Sequence, residues 1–150
     1  MNTDTPLRVL HVMGQMPAAG AESALMTLLR KLQNSQVQSD VCVFSDRRGH
    51  YEPELLSLGS KVVRCRLNKN VFSFMWRFYR LLKQGQYDVV DCNVLLFSGV
   101  CLAVAICVGI PKRVIHVHNT SDARKTNLFR RLYRNLMLRS ISRNATDIIG

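Results

Sequence analysis

The chain has 150 residues, of which 47% are hydrophobic, and its 21 lysines and arginines outnumber 10 acidic residues to give a net charge of +11. This length and apolar content suit a single globular domain and exclude a disordered chain. The positive charge favours anionic partners, such as a phosphorylated ligand, an anionic lipid surface or a nucleic acid. Nucleic acid ranks last, since we find no RNP-like aromatic motif, zinc finger or distinct helix-turn-helix.

The five cysteines favour a reduced, cytoplasmic protein. Their number is odd and no pair has CxxC spacing, so we expect buried thiols and neither a disulfide framework nor a zinc site. The first residues lack the basic and apolar regions of a secretion signal. The apolar run 94–110 is at the short limit of the roughly 17–25 residues that a spanning helix needs, and we expect it to be a helix buried against a sheet.

The predicted elements alternate strand and helix along the chain. The predicted strands are residues 7–13, 39–45, 61–65, 87–93, 112–118 and 146–150. The predicted helices are residues 22–33, 52–58, 71–84, 94–109 and 122–143. Short apolar strands separated by helices indicate an α/β fold, a Rossmann-like doubly wound parallel sheet of about six strands with helices on both faces. The sequence stops in a strand with no closing helix, from which we expect a longer parent chain.

The loop between the first strand and the first helix is one candidate site. Residues 14–21 are mostly small and precede a helix, whose free N–H groups can bind an anion such as a phosphate. The loop contains neither the G-x-G-x-x-G dinucleotide pattern nor the Walker lysine. The pattern by itself therefore also fits a tight turn selected for packing.

A second candidate is His118, at the predicted end of the fifth strand. His116 and His118 alternate along that strand and therefore face the same side of the sheet. His118 lies nearer the carboxyl end, where ligands bind in such sheets, and His116 lies one step deeper. A buried core histidine is an equally good interpretation, and no metal site is expected, because no cluster of Cys, Asp or Glu shares the spacing.

The predicted helix 122–143 carries a large part of the positive charge. Its arginines and one lysine are interleaved with leucines, aromatic residues and a methionine. This pattern fits adsorption to anionic lipid head groups, and it fits equally well a solvated basic face above a stripe that packs in the core. Helix 71–84 has a similar basic and aromatic composition, and we expect its apolar stripe to lie in the core.

Three stretches of the chain resemble glycosyltransferase family 4. The first is the strand 8–14 followed by Gly20, Ala21 and Glu22, the second is 117–120, and the third is 145–150. The resemblance implies one half of a GT-B fold, in which two Rossmann-like domains face a cleft. By this resemblance residues 1–150 are the amino-terminal, acceptor-binding domain, and the carboxy-terminal domain that binds the nucleotide-sugar is absent from the sequence.

The resemblance also assigns residues. Gly20 matches the glycine whose backbone approaches the donor diphosphate, and His118 matches the catalytic-site histidine near the transferred sugar, where it would position a hydroxyl or carbonyl group. Asn93 and Asn119 are the expected acceptor-binding residues. Ala19 stands where the family often has its first glycine, a departure that leaves close backbone approach there less certain.

The expected function is that of the acceptor-binding half of a retaining glycosyltransferase of the hexosyltransferase type. The parent would transfer a sugar from a nucleotide-sugar to a glycan or lipid-linked acceptor in cell-surface polysaccharide synthesis, at the cytoplasmic face of the plasma membrane. No cofactor or metal is expected, the isolated fragment should be inactive, and a dimer is allowed. Two alternatives stay open: a free-standing Rossmann-like nucleotide-binding domain, and a basic membrane-adaptor module.

Overall fold

The structure, a computed structural model, describes residues 5–15, 20–116 and 128–149. The strands are Leu7–Met13 (β1), Val37–Val43 (β2), Val62–Arg64 (β3), Val89–Cys92 (β4), Lys112–His116 (β5) and Asp147–Ile149 (β6). The helices are Gly20–Leu32 (α1), Glu52–Ser57 (α2), Val71–Gly85 (α3), Ser98–Val108 (α4) and Leu128–Asn144 (α5), with a short 3-10 helix at Leu95–Phe97. Strands and helices alternate in the predicted order, and β1 has the predicted bounds.

The six strands form one sheet in the order β3-β2-β1-β4-β5-β6. Every neighbouring pair is parallel. The chain first builds outward from β1 to β3 and then returns to the other side of β1, so the strand order reverses between β1 and β4. This is the doubly wound Rossmann order, which confirms the predicted fold class.

Alternation along the strands separates two helical layers. In β1, Leu10 and Val12 belong to the core that packs against α3, α4 and α5, whereas Met13 belongs to the core against α1 and α2. Successive side chains of a strand point to opposite faces. His11 therefore shares its face with Met13, on the side of α1 and α2.

The apolar segment 94–110 contains a buried helix, as predicted. Helix α4 lies between α3 and α5, and Cys101, Leu102 and Ala105 are fully buried. Gly99 permits the close approach of α5, since a Cβ built there would lie 2.9 Å from the Met137 carbonyl oxygen. Within the described ranges, no helix combines the length and the apolar character needed to cross a bilayer.

The end of α3 shows a second close approach by a glycine. Residue 86, a glutamine, adopts the left-handed conformation at the end of this helix, with φ of 48°. Gly85 precedes it, and a Cβ at Gly85 would lie 2.0 Å from Cε2 of Tyr87. As predicted, Gly85 is at the end of the helix. The left-handed residue, however, is Gln86, and a glycine is required at position 85 because any side chain there would clash with the Tyr87 ring.

Four of the cysteines are buried free thiols, as expected, whereas Cys107 is exposed. Desolvation by burial raises the pKa of the Cys42, Cys65 and Cys101 thiols. They therefore stay protonated at neutral pH and behave as small apolar core residues.

Candidate functional site

Backbone hydrogen bonds hold the carboxyl ends of three central strands together. The amide of Asn93, just after β4, donates to the Val12 carbonyl at 2.9 Å, and the Phe44 amide, just after β2, donates to the Gly14 carbonyl at 3.1 Å. The ends of β1, β2 and β4 thus meet where the strand order reverses. Ligands of doubly wound sheets bind in the crevice at this point.

Gly20 is the first residue of α1 and lies at this edge of the sheet. It is exposed, and among the described residues none lies within 4 Å of a Cβ built on it. Packing against the described part of the chain therefore does not require a glycine at the start of this helix of 13 residues. Glu22 stands in the first turn, where a negative side chain stabilises the helix dipole.

Asn93 follows β4 directly and is half-buried. Its Nδ2 donates to Oδ2 of Asp91 at 3.4 Å. The side chain is thus tethered at the carboxyl edge, next to Gly14 at the end of β1. Its acceptor-binding role stays a prediction, but its position agrees with that role.

His118 and Asn119 lie outside the described residues. Strand β5 is described to His116, and it runs parallel to β4, so the chain leaves β5 at the same edge of the sheet that carries Asn93. The expected meeting of Gly20 and His118 at one edge therefore stays a prediction.

The structure also assembles a polar cluster that the sequence patterns did not indicate. Nδ1 of His11 in β1 lies 2.8 Å from Oδ2 of Asp91 in β4, and Nε2 of His116 in β5 lies 3.3 Å from Oδ1. His11 is 3% exposed and Asp91 is 7% exposed. One buried carboxylate therefore lies between two imidazoles on three adjacent strands. Polar residues within apolar strand segments were the available signal, but their adjacency needed the strand order.

A second buried polar set joins β1, β2 and the residue Tyr87 that precedes β4. The Tyr87 hydroxyl donates to Oδ2 of Asp40 at 3.0 Å, and the Arg8 guanidinium lies 3.6 Å from the same oxygen. Desolvation by burial, reinforced by the Asp40 carboxylate, raises the pKa of Tyr87. The phenol is thus held as a hydrogen-bond donor, and we assign this set to stability, away from the carboxyl edge.

No set of three or more His, Cys, Asp or Glu side chains in the described part of the chain is arranged to hold a metal ion. In the His11–Asp91–His116 cluster the imidazoles flank the carboxylate and do not converge with it on one point. The expectation that the protein works without a metal stays a prediction.

The fold is that of a Rossmann-like domain, and the edge at the strand reversal between β1 and β4 is the candidate site. The sequence model of glycosyltransferase family 4 matches residues 18–149, which is most of the chain. The chain therefore belongs to glycosyltransferase family 4, as the resemblance of its motifs implied.

Curated relatives agree with this family. The chain is 34% identical over 144 residues to the putative glycosyltransferase EpsF of Bacillus subtilis (strain 168), covering 94% of this chain and 38% of EpsF. It is 30% identical over 135 residues to the capsular polysaccharide biosynthesis glycosyltransferase CapH of Staphylococcus aureus, covering 90% of this chain and 37% of CapH. The chain thus spans less than two fifths of the length of either relative.

A solved structure supports the fold. Anabaena Alr3699/HepE in complex with UDP-glucose superimposes with a TM-score of 0.69 at 14% identity, over 96% of this chain and 37% of that chain. At this identity the likeness concerns the fold, and the structural neighbours are GT-B glycosyltransferases.

Proposed function

We propose that residues 1–150 form the amino-terminal, acceptor-binding half of a retaining glycosyltransferase. The parent enzyme would transfer a hexosyl group from a nucleotide-sugar to a glycan or lipid-linked acceptor in cell-surface polysaccharide synthesis. Family membership supports the class of reaction, and the shares of 37% and 38% leave room in the parent for a second, donor-binding domain. The name of CapH, a capsular polysaccharide biosynthesis glycosyltransferase, supports a role in polysaccharide synthesis. The UDP-glucose bound to HepE supports a nucleotide-sugar donor.

One observation carries the proposal: the reversal of strand order between β1 and β4 creates a carboxyl edge with both α1 and Asn93 on it. No described residue lies within 4 Å of a Cβ at Gly20, and a diphosphate would approach the first amides of α1 there, where the helix dipole favours negative charge. Asn93 on the neighbouring strand offers an amide to a sugar hydroxyl. Donor and acceptor groups would then meet at one edge.

His118 follows β5 in the sequence and would complete this edge. Its proposed role is to donate or accept a hydrogen bond that positions the transferred sugar, a contribution from orientation and electrostatics. Asn119 beside it would contact the acceptor. Neither role needs a metal or another cofactor.

The test is a radiolabel or mass-spectrometric transfer assay on the full-length enzyme. Transfer from a nucleotide-sugar is expected for wild type, and His118→Ala should lower kcat about 100-fold while the melting temperature is unchanged. His50→Ala is the matched control, because His50 is an exposed loop histidine whose ring packs edge-on against Tyr51. Full activity in His118→Ala would remove this residue from the site, and robust transfer by residues 1–150 alone would refute the assignment of a half-site.

A specific observation also favours contact with a membrane surface. One stripe of α5 packs on α4, where Ile141 is buried and Met137 and Ser140 contact Gly99, but most other apolar side chains of α5 are exposed. Phe129 is 84% exposed and Leu132 is 58% exposed, and both share a helical face with Tyr133 and Leu136. The apolar face is thus open to the surroundings.

The charge on α5 selects an anionic partner for this face. The helix has no acidic residue, and its five arginines are exposed: Arg130, Arg131, Arg134, Arg139 and Arg143. Each basic residue near an anionic bilayer adds about 1 kcal/mol of attraction, and exposed apolar side chains can insert between head groups. We therefore propose that the parent enzyme associates peripherally with the inner face of the plasma membrane through α5.

Sedimentation of the full-length protein with vesicles tests this association. Binding to vesicles containing phosphatidylglycerol is expected to weaken with salt and to fall in Phe129→Ser/Leu132→Ser. Phe72→Ser is the control, since Phe72 is an 82% exposed aromatic residue on α3. Equal binding to neutral vesicles, or no loss in the α5 variant, would overturn the proposal that α5 binds an anionic membrane surface.

A further inference from the structure

The carboxylate of Asp91 lies between groups contributed by three adjacent strands. His11 in β1 pairs directly with Asp91 in the sheet register, and His116 lies two residues beyond Val114, the register partner of Asp91 in β5. The contacts of 2.8 Å and 3.3 Å therefore run sideways across the sheet. A single side chain thus fixes β1, β4 and β5 to one another just before their carboxyl ends.

Burial makes this arrangement costly to maintain for stability alone. Oδ1 of Asp91 and Nε2 of His11 are buried atoms without a hydrogen bond of good geometry within the described ranges. An apolar trio would pack between these strands without that desolvation cost. Buried polar atoms that lack hydrogen bonds are uncommon in folded proteins and call for an explanation.

The third group on the carboxylate links it to the candidate site. Oδ2 accepts from Nδ2 of Asn93 as well as from His11. Asn93 is the proposed acceptor-binding residue, and His116 is the described end of the strand that continues to His118 and Asn119. The carboxylate thus contacts one proposed acceptor residue, Asn93, directly, and it contacts His116 at the end of β5.

We propose that Asp91 is a positioning residue for the acceptor. It holds the Asn93 amide by a direct hydrogen bond and holds the end of β5 through His116, so that the two strand ends present their polar groups at a fixed separation. Asp91 itself does not touch the sugar. This inference rests on the proposed function, because it presupposes that the edge above β4 and β5 binds the acceptor.

Kinetics of Asp91→Asn in the full-length enzyme test this role. Asparagine keeps the shape of the side chain and one acceptor oxygen, but it lacks the negative charge and the second acceptor oxygen that contact His11, His116 and Asn93. The KM for the acceptor should rise about tenfold with kcat also reduced, while the KM for the nucleotide-sugar stays unchanged. His116→Gln should give a smaller change of the same kind, and the double variant should lose no more than Asp91→Asn alone.

The matched control is Asp88→Asn. Asp88 precedes the same strand, and its carboxylate accepts from the Arg8 backbone amide at 2.9 Å, at the opposite end of β4. Both KM values should be unchanged in this variant. A purely structural role for Asp91 would lower the melting temperature and kcat with both KM values unaffected, and that result would overturn the proposal.

A crystal structure of full-length Asp91→Asn tests the positioning independently of turnover. The Asn93 side chain and the end of β5 should be displaced relative to wild type, and a superimposable edge would overturn the proposal even if activity falls. If the wild-type enzyme transfers no sugar, the proposed function fails, and the displacement then decides whether Asp91 positions this edge. If wild type is active and Asp91→Asn matches it in both KM values, the positioning role alone is wrong.

Discussion

Helices α4 and α5 are neighbours on one face of the sheet, yet their apolar residues serve different purposes. Helix α4 is apolar on all sides and lies between α3 and α5, so most of its side chains are buried. Helix α5 packs against α4 and the 3-10 helix, buries Ile141, and leaves a row of leucines and aromatic rings exposed. An apolar residue on α4 therefore stabilises the fold, whereas one on α5 is available for binding.

The largest effect should come from a matched pair of leucine truncations. Leu102→Ala removes a fully buried side chain of α4 and should lower the free energy of unfolding by about 2–5 kcal/mol. Leu132→Ala on α5 should change it by less than about 0.5 kcal/mol, because this side chain is largely exposed. Urea unfolding followed by circular dichroism measures both. Equal losses would mean that α5 is a core helix as much as α4.

A buried hydroxyl beneath the α3–α4 layer should have the next largest effect. Tyr87→Phe removes the hydrogen bond to Asp40, a carboxylate that is 1% exposed, and should cost about 1.5–3 kcal/mol. The pKa of Tyr87 is raised above its ordinary 10.0, so the stability from the protonated phenol is complete below pH 10 and is lost as pH rises toward the folded-state pKa.

The pH dependence of unfolding therefore provides a second measurement. Above pH 10, Tyr87→Phe should lose less stability with rising pH than wild type does. Tyr133→Phe on α5 is the control. The Tyr133 ring is 44% exposed, its pKa is raised chiefly by partial burial, and its hydroxyl has no hydrogen bond to a carboxylate among the described residues. Parallel alkaline slopes for wild type and Tyr87→Phe would contradict the assignment.

The contact between the two helices should be sensitive to added volume. Gly99→Ala places a methyl group 2.9 Å from the Met137 carbonyl oxygen and should destabilise by about 1–3 kcal/mol. Gly20→Ala, where nothing lies within 4 Å, should be nearly neutral in the same denaturant titration. A neutral Gly99→Ala would show that α5 can move away from α4 at little cost.

The smallest effect is expected from a single hydrogen bond between the helices. The Ser140 hydroxyl on α5 donates to the Gly99 carbonyl on α4 at 2.7 Å, and Ser140→Ala should cost about 0.5–1.5 kcal/mol. Ser142→Ala is the control, because its hydroxyl donates at 3.1 Å to the Arg139 carbonyl within α5 itself. Thermal unfolding should separate the two variants, and identical melting temperatures would leave α5 held by apolar packing alone.

The local patterns predicted the elements better than the site. The run 7–13 has the bounds of β1 because a β-branched apolar run between polar residues defines a buried strand by itself. Helix α1 begins two residues before the predicted Glu22, and β2 ends two residues before the predicted end. The predicted segment 94–109 divides into a 3-10 turn and α4. The ends of helices and strands depend on capping and on hydrogen bonds, which the periodicity of apolar residues does not predict.

The candidate site was predicted in its position along the chain but not in its contacts. Asn93 lies just after β4, whereas the prediction had it as the last residue of the strand, and the structure adds that this strand is next to β1. Asp91 was placed in a strand without a role, although it contacts His11, 80 residues away in the sequence. A single histidine or aspartate in a strand does not indicate a site, and the contact between these two residues is visible only in the folded structure.

The sequence by itself determined the alternation of strands and helices, the family and the excess of positive charge, since these depend on local periodicity, motif order and composition. Only the tertiary structure decided the strand order, and with it the contacts of Asp91 and the contrast between α4 and α5. The physical reason is that burial and long-range hydrogen bonds depend on which elements become neighbours. Whether an apolar residue lies in the core or at the surface therefore depends on which elements pack on it.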